Sequence, residues 1–230
     1  MSISSTSAQK EPAPRHRVFI VDDHAFVREW LTNLIEQQND LCVCGHASEL
    51  NDACTQIEQL KPGITVVDLS LRRESGLELI KRLQTLKPAP RVLVLSMHDE
   101  VFYAERALRA GALGYVMKRE ATSKVIEGIR QVLQGQFYVS EPLAKLMAQK
   151  FVGKGPTPGA SPIEQLGDRE LEVFRLIGQG YENRRIAEEL HISPKTVQAH
   201  CEHIKEKLGL NNVTALIREA VRWVEAEKQV

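Results

Sequence analysis

The chain has 230 residues, 43% of them hydrophobic, enough for two small domains that each bury a core. Thirty Lys and Arg balance thirty Asp and Glu, so overall charge gives no argument for a nucleic-acid partner. There is no run of eighteen apolar residues and no apolar leader, which argues against a membrane span and a secretory signal and makes the cytoplasm the expected location.

In chain order, residues 1–16 read as a disordered tail rich in Ser and Pro. Residues 17–138 read as one domain. In it the short apolar runs Val18–Val21, Leu41–Cys44, Ile64–Val67, Val92–Leu95 and Gly114–Met117 alternate with amphipathic segments. Phe26, Trp30 and Leu34, then Leu77, Ile80 and Leu83, recur at helical spacing, and Gly76 and Gly111 punctuate boundaries. Five strands alternating with helices predict an α/β, flavodoxin-like (βα)5 sheet with parallel strands. Cys42, Cys44, Cys54 and Cys201 show neither metal-ligand nor disulfide spacing and read as small apolar residues of a reducing compartment.

Residues 139–163 read as a linker, because six of the ten residues from Gly153 to Pro162 are Gly or Pro. Residues 164–230 then show helical periodicity only, over Arg169–Gln179, Asn183–Leu190, Pro194–Leu208 and Val213–Glu227. Ser193 before Pro194 is a good helix start, and Asn212 can cap the last helix.

Chemistry in an open parallel sheet gathers at the carboxyl ends of the strands. Here those ends carry Asp22 and Asp23, Asp68, Ser96 and Lys118. Any one of these acids alone would pass as a helix cap. Three together repel, and a hard divalent cation with oxygen ligands, best matched by Mg2+, relieves the repulsion. With Lys118 as a second positive charge and Ser96 as a donor, the set describes phosphoryl transfer to a carboxylate. His24, next to the acid pair, reads on general grounds as a solvent-facing residue at a helix start before it reads as a ligand or proton shuttle.

On these residues, the segment 17–135 resembles the receiver domain of two-component response regulators. The resemblance implies that Asp68 accepts a phosphoryl group from a phosphohistidine of a partner histidine kinase. It further implies that Asp23 and Asp68 hold magnesium directly, with the main-chain carbonyl of Ser70, and that Asp22 holds it through water. Ser96 and Tyr115 match the family's switch pair, and Lys118 matches the lysine that contacts the phosphoryl group. The loop Leu69–Gly76 departs from the family in lacking a Met-Pro or Leu-Pro step.

Four short helices with breaks at Gly180 and at His191–Ser193 fit a helix-turn-helix with a supporting helix on each side. Val197, Cys201, Ile204 and Leu208 form one stripe of the third helix. Its first turns carry Lys195, Thr196, Gln198 and Ala199, placed to read bases, while Arg184 and Arg185 can reach phosphates. Against this stands the local charge, ten Lys or Arg and twelve Asp or Glu from Glu164 to Val230.

The runs Leu166–Val173, Gly180–Ala187, Ile192–His200 and Ile204–Gly209 are similar to the LuxR-type helix-turn-helix. With the receiver, they liken the whole chain to the NarL/FixJ class. Gln198 stands where that family usually has lysine, Glu202 where some members have a basic contact, and Glu182 where Ser or Thr commonly caps. The resemblance implies a transcription regulator that binds double-stranded DNA, with a last helix (Val213, Leu216, Ile217, Ala220, Val221, Val224) that helps two copies pair. Phosphorylation is expected to draw in Ser96, turn Tyr115 inward, and release a DNA-reading helix that the receiver obstructs or a molecule that it keeps monomeric. Two other readings remain: a regulator whose carboxyl-terminal bundle binds a protein and not DNA, and a metal-dependent enzyme acting on small phosphates.

Overall fold

The computed structural model describes residues 14–71, 75–97, 100–120, 122–151 and 162–227. Most of the expected tail lies outside the described residues, and its last residue, His16, already opens a strand. Strands β1 (His16–Val21), β2 (Leu41–Ala47), β3 (Ile64–Val67), β4 (Arg91–Ser96) and β5 (Gly114–Met117) alternate with helices α1 (Ala25–Glu36), α2 (Leu50–Leu60), α3 (Gly76–Leu83), α4 (Glu100–Ala110) and α5 (Thr122–Leu133). All strand pairs are parallel, in the order β2-β1-β3-β4-β5, so the predicted doubly wound sheet is present and β1 lies beside β3.

The near-continuous apolar strands follow from burial on both faces. Phe19, Val21, Val67, Val92 and Val94 point to one side, where α2, α3 and α4 contribute Ile57, Ile80 and Ala107. Val18, Ile20, Ile64, Leu93 and Val116 point to the other, against Leu31 and Ile35 of α1 and Ile129 of α5. The edge strand β2 runs three residues past its apolar sequence, and the register with β1 slips between Val18 and Phe19, a bulge that sets Cys44 aside. Cys42 and Cys44 are half-buried, not core residues.

The stretch 139–163 carries a further helix, α6 (Glu141–Phe151), held to α4 by a hydrogen bond between Ser140 Oγ and Glu100. The side chain of its Leu143 is buried, and Leu146 and Met147 pack beside it. That spacing is helical and was masked by the Gly and Pro that follow. The Gly153–Ala160 part lies outside the described residues.

The remaining helices are α7 (Asp168–Gly178), α8 (Asn183–Glu189), α9 (Pro194–Leu208) and α10 (Val213–Glu227), within a residue of the expected bounds. Ser193 Oγ accepts from Thr196 N at 3.0 Å and Asn212 Oδ1 from Ala215 N at 2.8 Å, as the caps predicted. Helices α7 and α10 cross closely at Gly178, where a Cβ would stand 2.3 Å from the Ala220 carbonyl oxygen. Phe174 and Trp223 pack their rings across the same crossing, with centroids 5.7 Å apart.

Candidate phosphoacceptor pocket and DNA-reading face

The strand ends are held in line by the backbone. Asp68 N donates to Val21 O at 2.8 Å, and Lys118 N to Ser96 O at 2.8 Å, so both ladders continue one residue past the strands. This sets Asp22, Asp68, Ser96 and Lys118 along one edge of the sheet. Gly76 is required there, because a Cβ on it would lie 2.2 Å from the Asp68 carbonyl oxygen.

Asp22, Asp23, His24 and Asp68 each place one ligand atom within 4.8 Å of the others. Lys118 Nζ bridges two of the acids, at 2.6 Å from Asp22 Oδ2 and 2.8 Å from Asp68 Oδ2. Asp68 is 3% exposed, and its Oδ1 is buried without a hydrogen-bond partner. Burial pushes the Asp68 carboxyl up to about 6, with Lys118 pulling it down and the Asp22 carboxylate pushing it up. Burial also opposes charge on Lys118, yet Asp68 and Asp22 outweigh it and lift the ammonium above its ordinary range. Arg28 steadies the site from α1 by donating to Asp22 O at 2.7 Å.

Asp22, Asp23, Asp68 and Lys118 therefore meet, with Ser96 ending the neighbouring strand. Ser70 is half-buried just after β3 and pairs with Ser75 through an isolated bridge, while 72–74 lie outside the described residues. The oxygen donors are hard, and a buried carboxylate oxygen without a partner fits a small divalent cation.

Tyr115 is 1% exposed and belongs to the apolar cluster that also holds Tyr103, Ala104 and Ala107 of α4.

In the carboxyl-terminal bundle, Val197, Cys201 and Ile204 are buried and Leu208 half-buried, while Lys195 and Ala199 are exposed on the opposite face of α9, flanked by exposed Thr196 and Gln198. Arg184 and Arg185 are exposed on α8, each paired along the helix with Glu188. The reading face is thus open, so an obstructing receiver is not what this structure contains. The domains meet elsewhere, at the start of α7, where Asp168 lies between Lys81 of α3 and Arg106 of α4. On α10, Leu216, Ala220 and Val224 are buried and Val213 and Ile217 exposed, so the apolar stripe exceeds what the bundle covers. Sequence reasoning also missed Glu170, whose Oε2 accepts from Gly167 N at 2.7 Å and lies 2.6 Å from Lys207 Nζ, tying α7 to α9.

A five-stranded parallel sheet with clustered acids and a lysine at its carboxyl edge, followed by a helix-turn-helix, defines a phosphoryl-receiving regulator that acts on DNA. Residues 18–130 match the response regulator receiver domain, and residues 164–220 match the bacterial regulatory proteins of the luxR family. The oxygen regulatory protein NreC of Staphylococcus aureus is 35% identical over 210 residues, covering 90% of this chain and 97% of the relative. A LuxR-family two-component response regulator from Aurantimonas sp. SI85-9A1 is similar in structure, with a TM-score of 0.56 and 31% identity over 60% of this chain and 99% of that one. RcsB from Salmonella enterica serovar Typhimurium, bound to the promoter rprA with the phosphomimetic BeF3-, is similar at a TM-score of 0.59 and 25% identity, over 89% of this chain and 98% of that one. The chain belongs to the NarL/FixJ class of response regulators, with a receiver domain and a LuxR-type DNA-binding domain. Among the described residues no helix is long and apolar enough to cross a membrane.

Proposed function

We propose that Asp68 takes a phosphoryl group from the phosphohistidine of a partner histidine kinase, and that this modification governs binding of double-stranded DNA and hence transcription. The observation that carries the reading is Lys118 Nζ set between Asp22 and Asp68, beside a buried Asp68 oxygen with no partner. In the transfer, an Asp68 carboxylate oxygen forms a bond to phosphorus as the nitrogen–phosphorus bond breaks, and the imidazole leaves with the electron pair. Lys118 keeps its positive charge against the phosphoryl oxygens, and the buried Ser96 hydroxyl donates to one of them. Asp22, Asp23, Asp68 and the Ser70 carbonyl would hold magnesium, which when bound supplies further positive charge opposite the incoming group. Apart from this self-modification the pocket turns over no substrate.

Phosphorylation draws Ser96 toward the phosphoryl group, settles Tyr115 inward, and changes the surface of α4, the helix whose Arg106 holds Asp168. Exposed Val213 and Ile217 on α10 support pairing of two copies on a two-fold symmetric site. Bases are read by Lys195, Thr196, Gln198 and Ala199, with Arg184 and Arg185 on phosphates.

The test is capture of sheared genomic DNA by the chain with and without phosphoramidate, alongside Asp68→Asn. The wild type takes up one phosphoryl group per chain and retains DNA in a salt-sensitive way, and Asp68→Asn takes up none. Uptake by Asp68→Asn at unchanged stoichiometry would overturn the site. Absence of DNA retention at every ionic strength would favour the protein-binding alternative, which the negative balance of residues 164–230 motivates.

A further inference from the structure

Besides Lys118, the described residues of the acidic pocket include one imidazole, that of His24, and it is placed where a ligand would be. His24 is the residue before α1, with extended backbone, yet its side chain makes no cap hydrogen bond to the helix. Caps at such positions are ordinarily Ser, Thr, Asp or Asn, whose short oxygens reach the first turn. The imidazole turns to the carboxylates instead. Its Nδ1 lies 2.6 Å from Asp23 Oδ1 and 3.5 Å from Asp22 Oδ1, and the backbone N–H of His24 donates to Asp22 Oδ1 at 2.8 Å, which holds the residue beside the acids. The side chain is 61% exposed, so packing does not force this orientation.

The two sides of the pocket differ in what they offer. Lys118 occupies the Oδ2 atoms of Asp22 and Asp68. Asp68 Oδ1 remains buried without a hydrogen-bond partner, and one atom each of Asp22, Asp23, His24 and Asp68 fall within 4.8 Å of one another. A set of carboxylate oxygens with a single imidazole is no longer an all-oxygen site. Oxygen-only sets suit magnesium, whereas imidazole binds transition ions more strongly, with affinity rising from manganese to cobalt and nickel.

We propose that the His24 imidazole is a ligand of the pocket's divalent cation, and that it shifts the preference of the site from magnesium toward borderline transition ions. This rests on the metal-binding reading of Asp22, Asp23 and Asp68 given above. The inference adds a nitrogen ligand and a selectivity to that reading.

Manganese and cobalt are the probes, added singly to the full-length chain and to His24→Gln. Pulsed electron paramagnetic resonance of the manganese-loaded wild type shows a 14N coupling of imidazole type, and the coupling is absent from His24→Gln. In competition titrations, His24→Gln loses about tenfold in cobalt affinity and markedly less in magnesium affinity, so the cobalt-to-magnesium ratio falls. Manganese binding with no nitrogen coupling in the wild type, or an equal loss for cobalt and magnesium, overturns the role of His24 and leaves the acidic site standing. Failure of all three ions to bind the wild type overturns the metal reading itself. A coupling that survives in His24→Gln also sinks the proposal, since the nitrogen then comes from another residue.

Discussion

The guanidinium of Arg106 in α4 lies 3.1 Å from the carboxylate of Asp168, the first residue of α7, and so joins the receiver to the DNA-binding domain. The same nitrogen donates to Leu166 O at 2.8 Å, and Lys81 Nζ stands 3.0 Å from the other Asp168 oxygen. Arg106 and Asp168 are both largely shielded, so their pairing is screened less than a surface ion pair. Arg106→Ala and Asp168→Asn should each broaden the distance distribution between spin labels on the two domains. In a double-mutant cycle the two changes should fall short of additive by about 1 kcal/mol, because both remove one interaction. Unchanged distributions would show that other contacts set the domain arrangement.

Lys118 offers a sharper test of the pocket. Its ammonium serves two buried carboxylates, so Lys118→Ala leaves Asp22 and Asp68 side by side without compensation. The expected loss is about 3 kcal/mol of receiver stability at pH 7 in chelator, read by urea unfolding. Replacing Asp22 as well, in Lys118→Ala/Asp22→Asn, removes one of the repelling charges and should recover part of that loss. A double variant less stable than Lys118→Ala would mean that Asp22 is needed for its backbone role at the end of β1 and not held against its charge.

Glu170 gives the pH dependence of the carboxyl-terminal bundle. Burial would raise its carboxyl, but Lys207 and the Gly167 N–H outweigh this and hold it below the ordinary carboxylate range. A depressed native value means that the unfolded chain binds the proton first as pH falls. The stabilisation is therefore complete above the ordinary carboxylate value of 4.5 and is lost as pH drops through the lower native value. Glu170→Gln should cost about 1 kcal/mol near pH 7, with the gap to wild type closing in acid, as thermal unfolding at several pH values would show. A gap that widened in acid would contradict the assignment.

Local signals account for what could be read from the chain beforehand. Gly114–Met117, Pro194–Leu208 and Val213–Glu227 have the bounds expected, the last two because Ser193 and Asn212 announce them by their capping chemistry. The pocket was legible because strand ends in a parallel sheet converge wherever the intervening helices place them. The bulge at Cys44 was not, since pairing with β1 continues through Gly45 and His46 where apolar character stops. The Arg106–Asp168 pair joins residues 62 positions apart on separate domains, and no periodicity reports such a contact. The inward side chain of Tyr115 is likewise set by its packing with α4 and has no signature in the sequence.

The reading face of α9 is exposed but poorly charged, and Gln198 is the residue whose replacement tests why. Gln198 is exposed one turn beyond the capped start of the helix, on the flank of the stripe formed by buried Val197 and Cys201. Along the same helix Lys205 is already neutralised by Glu202 at 2.8 Å, and on α8 Arg185 pairs with Glu189 at 2.8 Å. Much of the bundle's positive charge is thus spent within the bundle, which lowers its attraction for phosphates. Gln198→Lys adds one net cation to this face, where Glu202 already has Lys205 as its partner. If it reaches a phosphate, the slope of log affinity against log salt should steepen by about 1, and affinity at low salt should rise for all sequences alike. If Gln198 instead reads a base edge, the lysine should lower affinity for the best sites and leave weak ones little changed. Titration of fluorescent operator and random duplexes at several salt concentrations separates the two outcomes. No change in slope and no change in preference would remove Gln198 from the DNA interface.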